Sequence, residues 1–237
     1  NWLNGQESGY RSMQDKDFFV VTIDGPSGSG KGSLALNVAR ELGFHLLDSG
    51  AIYRLLALKA LQQGIDLDDE QQVAALADGL DIRFETGDDL SIPYLDNVDV
   101  SAELRREPTG DAASRVARHP LVRERLLGLQ RGFLQPPGLV ADGRDMGSVV
   151  FPDARFKFFL YASPEIRAQR RYKQLINMGL SANIAQLQAD IAERDERDEK
   201  RDVSPLVPAE DALVVESSLL DLAQVTELVL SHIRDKR

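Results

Sequence analysis

The sequence predicts an α/β protein: a three-layer fold around a five-stranded parallel sheet, with a helical lid and a small antiparallel β insertion. Three observations predict it. The apolar run Phe18–Ile23 leads through a glycine-rich turn into a helical pattern. That strand-to-helix order recurs along the chain, with small polar or acidic residues closing each strand. Near the middle, a stretch of alternating apolar and polar residues breaks the pattern, as an antiparallel meander does.

The first unit is the most informative. Gly25-Pro26-Ser27-Gly28-Ser29-Gly30-Lys31-Gly32-Ser33 follows Phe18–Ile23, and Leu34, Ala35, Val38, Ala39 and Leu42 mark a helix over 33–42. Glycines let backbone N–H groups converge on one anion, and the following helix points its positive end at the same place. Lys31 is placed to reach the outer phosphates of a nucleotide, and Ser33 carries a hydroxyl for a magnesium ion. The usual loop has Ser or Thr directly after the Lys. Here Gly32 intervenes, a variant found in nucleoside monophosphate kinases.

Phe44–Leu47 reads as a second strand ending in Asp48-Ser49-Gly50, with a helix over 52–61. Ser49 then lies at the carboxyl edge of the sheet, with Tyr53 and Arg54 on the first helical turns. Arg54 on its own reads equally as a solvated helix charge. A helical pattern over 67–80 precedes the meander: 81–85, a turn at 86–89, 90–95 and 98–100. Helical spacing returns over 102–118 and 121–133, with Pro120 at a first turn. Leu139-Val140-Ala141 is a third core strand, closing in Asp142-Gly143-Arg144-Asp145, where a nucleotide-binding sheet sets a carboxylate toward a metal. A fourth strand spans 155–161. Ser163 caps the next helix, which carries Arg167, Arg170 and Arg171. A helix over 181–198 ends in the charge run 193–201, a pattern that usually means i,i+4 pairs on a solvated face. Arg194, Arg197 and Arg201, spaced by three and four, would also set three guanidinium groups on one face able to close over phosphates. The fifth strand is 211–215 and the closing helix 222–233. His45, His119 and His232 have no nucleophile or carboxylate spacing and read as structural.

The 237 residues accommodate one α/β domain with an insertion or two small domains. A net charge of −10 argues against nonspecific binding to nucleic acid or an anionic membrane, so arginines that serve anions must be locally concentrated. The absence of cysteine removes disulfides and thiolate metal sites and fits a reducing compartment. No apolar run is long enough to cross a membrane. Residues 1–17 are polar and aperiodic and read as a leader outside the fold.

With the phosphate loop, DSGAIYR at 48–54, ADGRDMG at 141–147 and ERDERDEKR at 193–201 in this order, the chain resembles bacterial cytidylate kinase over about 18–232. The resemblance implies transfer of the γ-phosphoryl group of ATP to CMP or dCMP with Mg2+, by a cytoplasmic monomer of one domain over 18–237, its acceptor-binding insertion near 76–115 and its lid near 181–203. It implies that the loop from Gly25 to Ser33, with Arg170, binds ATP. Ser49, Tyr53, Arg54, Arg144 and Arg201 are implied to hold the acceptor, Ser114, Arg123 and Asp145 to read the cytosine, and Arg194 with Asp198 to meet the ribose. Lys31, Asp142, Arg144, Arg194 and Arg201 are implied to serve the transfer itself. Ser33 stands where Thr is commoner, and Glu199 where related sequences often carry a base. The alternatives are a kinase of the same fold acting on AMP, UMP or an alcohol, and a nucleotide-dependent switch. The sequence lacks the Asn-Lys-x-Asp motif of a guanine-reading switch.

Overall fold

The computed structural model describes residues 18–86, 91–177, 179 and 181–237. The leader lies outside the described residues, as do Gly87, Asp88 and Asp89 of the expected turn.

β1 (Val20–Asp24), β2 (His45–Asp48), β6 (Leu139–Gly143), β7 (Phe156–Tyr161) and β8 (Leu213–Glu216) form a parallel sheet in the order β2-β6-β1-β7-β8. These strands are nearly continuous apolar runs because a parallel sheet is covered on both faces. Alternate residues divide between the two layers: Leu139 and Ala141 join one core cluster, whereas Val140 joins the other with Val21 and Ile23. Helices α1 (Lys31–Leu42) and α9 (Leu222–Lys236) cover the latter face. The other face is covered by α2 (Ser49–Gln62), α3 (Glu70–Asp78), α5 (Glu107–Val116) and α6 (Pro120–Arg131). Ile23, Leu34, Ile52 and Leu126 are all but completely enclosed, and burial of each such side chain stabilises the fold by about 1.5–3 kcal/mol.

The meander is an antiparallel sheet of β3 (Ile82–Thr86), β4 (Ser91–Leu95) and β5 (Val98–Asp99). Asp96 and Asn97, with φ of 49° and 64°, make the tight β4–β5 turn that such left-handed pairs favour. Leu95, Val100 and Leu104 pack on Leu55 and Leu58 of α2, which fixes the insertion to the main body.

One expectation needs correction, and one element is added. The single helix expected over 102–118 is two: α4 (Ser101–Leu104) and α5, separated at Arg106, whose backbone is extended (φ −72°, ψ 144°). Pro108 sits in the first turn of α5, where a missing N–H is harmless; inside a continuous helix it would break the ladder. The addition is Met146–Val150, for which the sequence offers no element and which forms a π-helical turn directly after Asp145. Helices α7 (Pro164–Asn177) and α8 (Ile184–Glu199) pack together above the phosphate loop's end of the sheet, with Asn183 capping α8.

Candidate active site

The carboxyl end of β1 turns straight into the glycine loop. At Gly25 (φ +152°) an added Cβ would stand 2.2 Å from the Leu160 carbonyl oxygen, so this position holds only glycine while the loop stays packed on β7. Gly30, left-handed at φ 95°, is the N-cap of α1 and offers no side-chain acceptor, leaving the first helical amides for an incoming anion. Lys31 is buried and curls back over the loop, its Nζ donating to the Pro26 carbonyl at 3.2 Å and standing 3.9 Å from Asp142 Oδ1. Burial, reinforced by the charge of Arg144, lowers Lys31 to about 8, against the pull of Asp142; burial raises Asp142 to about 6. Gly32 has a local reason: a Cβ there would press to 3.3 Å of Asp142 Oδ2. Such a Cβ would make Asp142 give by a few tenths of an ångström, and the hydroxyl stands instead on Ser33, exposed on the first turn of α1.

Beside the loop lies a cavity of about 200 Å3, lined by Ser29, Gly30, Ser33, Arg170, Ser217 and Leu220 among others. Arg170 donates to the Ser29 carbonyl at 3.1 Å and to the Ser217 carbonyl at 2.6 Å, tying the loop to the segment after β8. Ser27 is partly exposed, and the Ser29 hydroxyl is buried without a hydrogen-bond partner.

On the other side, β2, β6 and the helices α5, α6 and α8 deliver the remaining groups. Asp48 caps α2 by accepting the Ala51 N–H at 2.9 Å, which places Ser49 at the sheet edge, its hydroxyl donating to Gln130 Oε1 at 2.8 Å. Tyr53 is buried beneath Arg123 (guanidinium 5.5 Å from the ring centre), and burial pushes its phenol up to about 12. Arg123 in turn is paired with Asp145, both buried. Arg54 donates to the Leu104 carbonyl at 3.2 Å. Over Gly110 of α5, a Cβ would meet Arg194 Nη1 at 3.3 Å and Arg54 Nη2 at 3.9 Å, so these two guanidinium groups crowd one spot. Burial, together with the nearby Arg144 charge, lowers Arg194 to about 10.

Asp198 is the acidic centre of the cluster. It accepts from Ser114 Oγ at 3.2 Å and Arg144 Nε at 2.9 Å, and Arg201 Nη2 lies 3.4 Å away. Burial alone would raise this carboxyl, but Arg144, Arg201 and Arg194 outweigh it and hold it below the usual range. Guanidinium still exceeds carboxylate here, and Tyr53 Oη, Arg123 Nε, Arg194 Nε, Arg201 Nη2 and Asp142 Oδ1 are buried without hydrogen-bond partners. Each such group costs about 1–3 kcal/mol if left unmet. The donors among them point to an anionic ligand that completes them, and the Asp142 oxygen to a cation.

The expected shared face of Arg194, Arg197 and Arg201 divides. At 100° per residue, Arg197 lies about 60° round the helix from Arg194. It pairs instead with Asp111 at 2.7 Å and Glu193 at 2.8 Å, and Arg201 follows the end of α8. Three structural partners escaped the sequence reading. Asp24 accepts the Met146 and Gly147 N–H groups, both at 2.8 Å, and so pins the π-turn that follows Arg144 and Asp145. Gln130 orients Ser49, and Asp195 holds Arg167. An Asp before a glycine loop or a Gln on an amphipathic helix carries no spacing signal that would have found them.

The sequence profile described as Cytidylate kinase matches residues 21–235. Proteins described as Cytidylate kinase in Vibrio parahaemolyticus and Bordetella bronchiseptica are each 55% identical, over 217 residues (92% of this chain, 96% of theirs) and 215 residues (91% and 95%), respectively. A third, from Photobacterium profundum, is 54% identical over 214 residues (90% and 94%). A family profile covering nearly the whole chain and relatives of this identity agree with the two-sided anion cleft, and the chain belongs to the cytidylate kinase family.

Proposed function

We propose that the chain transfers the γ-phosphoryl group of ATP to CMP or dCMP, giving ADP and the nucleoside diphosphate. The observation that carries this reading is the pairing of a glycine cradle holding Lys31 with buried guanidinium groups of Arg123, Arg194 and Arg201 that have donors left without hydrogen-bond partners. Because the acceptor is already a phosphate oxygen, the transfer needs positioning and charge stabilisation rather than a strong base. Gly25 to Ser33 and Arg170 would bind the donor, with Lys31 and the loop amides neutralising charge on the moving group. Ser49, Arg54, Arg144 and Arg201 would grip the acceptor phosphate in line. Ser114, Arg123 and Asp145, beside Tyr53, would read the cytosine edge, since carboxylate and hydroxyl oxygens accept from its amino group and Arg donates to its carbonyl. Arg194 and Asp198 would meet the ribose.

Magnesium fits the residues present. It favours oxygen and typically keeps waters and substrate phosphates around one or two protein groups. The Ser33 hydroxyl and Asp142, whose Oδ1 has no hydrogen-bond partner, supply such oxygens, and among the described residues no acidic or histidine cluster forms a dedicated cage. Bound there, the ion would offset charge on the triphosphate. The insertion around 76–115 and the lid around 181–203 would close over the acceptor. We take the chain to act as a monomer. The lack of cysteine supports a reducing, cytoplasmic setting. No helix among the described residues is long and apolar enough to cross a membrane.

ADP formation measured with CMP, dCMP, UMP, AMP and water tests the reading: the cytosine nucleotides should lead, and a preference for AMP or UMP would overturn it. Arg144→Ala should lower turnover with CMP far more than it weakens ATP binding; unchanged turnover would remove Arg144 from the acceptor grip.

A further inference from the structure

Among the described residues, Arg167 of α7 is the largest side chain buried to this degree, with 1% exposure. Its Nε donates to the Ala162 carbonyl at 2.9 Å, just past the end of β7. Its Nη1 donates both to the Ser27 carbonyl of the glycine loop at 2.9 Å and to Asp195 Oδ1 at 3.0 Å, and Nη2 closes a two-pronged pair on Asp195 Oδ2. The stem of Arg167 also fills the space behind Gly28, where an added Cβ would lie 3.5 Å from its own Cβ. One guanidinium thus joins a strand end, the donor loop and the lid helix α8.

A buried ion pair stabilises a fold little compared with an apolar pair of the same size, so stability is a weak reason for it. Geometry is a better one. A planar fork on a carboxylate fixes rotation as well as distance, which a Lys or a greasy contact does not. Asp195 follows Arg194 directly and precedes Asp198 by one helical turn. Fixing Asp195 about the axis of α8 therefore fixes where Arg194 and Asp198 point, and these reach Arg54, Ser114 and Arg144 on the acceptor side.

We infer that the Arg167–Asp195 pair sets the register of the lid helix against the glycine loop, so that Arg167 and Asp195 are positioning residues that couple the donor cradle to the acceptor grip. The kinetic half of this inference rests on the function proposed above; the geometric half does not. The loop keeps its own bond from Arg167 when Asp195 is changed, so the two halves of the site separate on mutation.

The test is Asp195→Asn, folding checked by circular dichroism, in a chain carrying Glu41→Cys on α1 and Ala189→Cys on α8. Both positions are exposed, and the chain has no other cysteine to take a label. Asp195→Asn should broaden or lengthen the distance between paired spin labels. It should also lower kcat/KM for CMP by about tenfold or more, the scale expected for misplaced binding groups, while the ATP dissociation constant stays that of the parent. An unchanged label distance with unchanged kcat/KM for CMP overturns the inference, and so does an equal loss in ATP affinity, which would make the pair a support for the loop alone. Should Asp195→Asn not fold, Asp195→Glu keeps the buried charge, displaces the fork and leaves the Arg167 bond to the loop in place, and is judged by the same readouts. If the parent chain transfers nothing to CMP, the proposed function fails while the label distance still decides the register.

Discussion

Replacing Asp142 by Asn removes one negative charge from the floor of the site and leaves its shape almost unchanged. Lys31 Nζ stands 3.9 Å from Asp142 Oδ1, and both side chains are largely shielded, at 11% and 8% exposure. At an effective dielectric of about 20, unit charges at that separation attract by about 4 kcal/mol. At 1.36 kcal/mol per pKa unit, that is a ceiling of about 3 units. Burial and Arg144 already hold Lys31 down at about 8 with Asp142 opposing them. Without Asp142 the lysine should fall by one unit or more, into the range where much of it is neutral at pH 7. The readout is kcat/KM for ATP against pH, which reports the free enzyme. The native profile should be bounded on the acid side near 6 and on the alkaline side near 8, values that belong to the pair jointly. In Asp142→Asn the acid limb should vanish and the alkaline limb move downward. An alkaline limb that stays put, in a variant with native circular dichroism, would refute the claim that Asp142 keeps Lys31 charged.

Gly25→Ala should unseat the donor loop, because its Cβ would fall 2.2 Å from a main-chain oxygen and its φ of +152° suits only glycine, a strain of about 1–3 kcal/mol; calorimetry finding undiminished ATP affinity would contradict it. Asp24 is raised from 3.8 to about 7, chiefly by burial. A carboxyl whose native value lies above its unfolded one contributes stability that is complete below about pH 4 and lost as the pH climbs through 7. The unfolding free energy of the native chain minus that of Asp24→Asn should therefore shrink by about 4 kcal/mol between pH 4 and pH 8, measured by urea titration, and parallel pH curves would refute it.

Much of the sheet was legible because buried parallel strands are written as nearly continuous apolar runs, and Val20–Ile23, Leu139–Ala141 and Phe156–Leu160, broken only by Thr22 and Lys157, have no competing reading. The glycine loop was legible for the same reason: its composition follows from backbone demands local to the segment. What failed was what depends on distant partners. Pro108 sits at a first turn only because α4 stops short of it. The π-turn at Met146–Val150 needs the Asp24 carboxylate, 122 residues earlier in the chain, to take its first two amides. Arg194, Arg197 and Arg201 share a three-and-four spacing, and the partners Asp111 and Glu193 hold Arg197 on the flank. Arg167 was read as one of three helix arginines; nothing in its neighbours announced a residue with 1% exposure.

The strand order β2-β6-β1-β7-β8 is also a layout of labour. Ser49, Tyr53, Arg54, Arg144 and Asp145, proposed for the acceptor, follow β2 and β6, and the donor loop follows β1; Arg167 and Arg170 follow β7, as does α8 with Arg194 and Asp198. Since β1 and β6 are hydrogen-bonded neighbours, cradle and grip start about 4.8 Å apart, a gap set by the backbone ladder rather than by any side chain. A new acceptor would call for rewriting the segments after β2 and β6 together with the faces of α5, α6 and α8 that meet them, while the spacing of the two adjacent strands stays as it is.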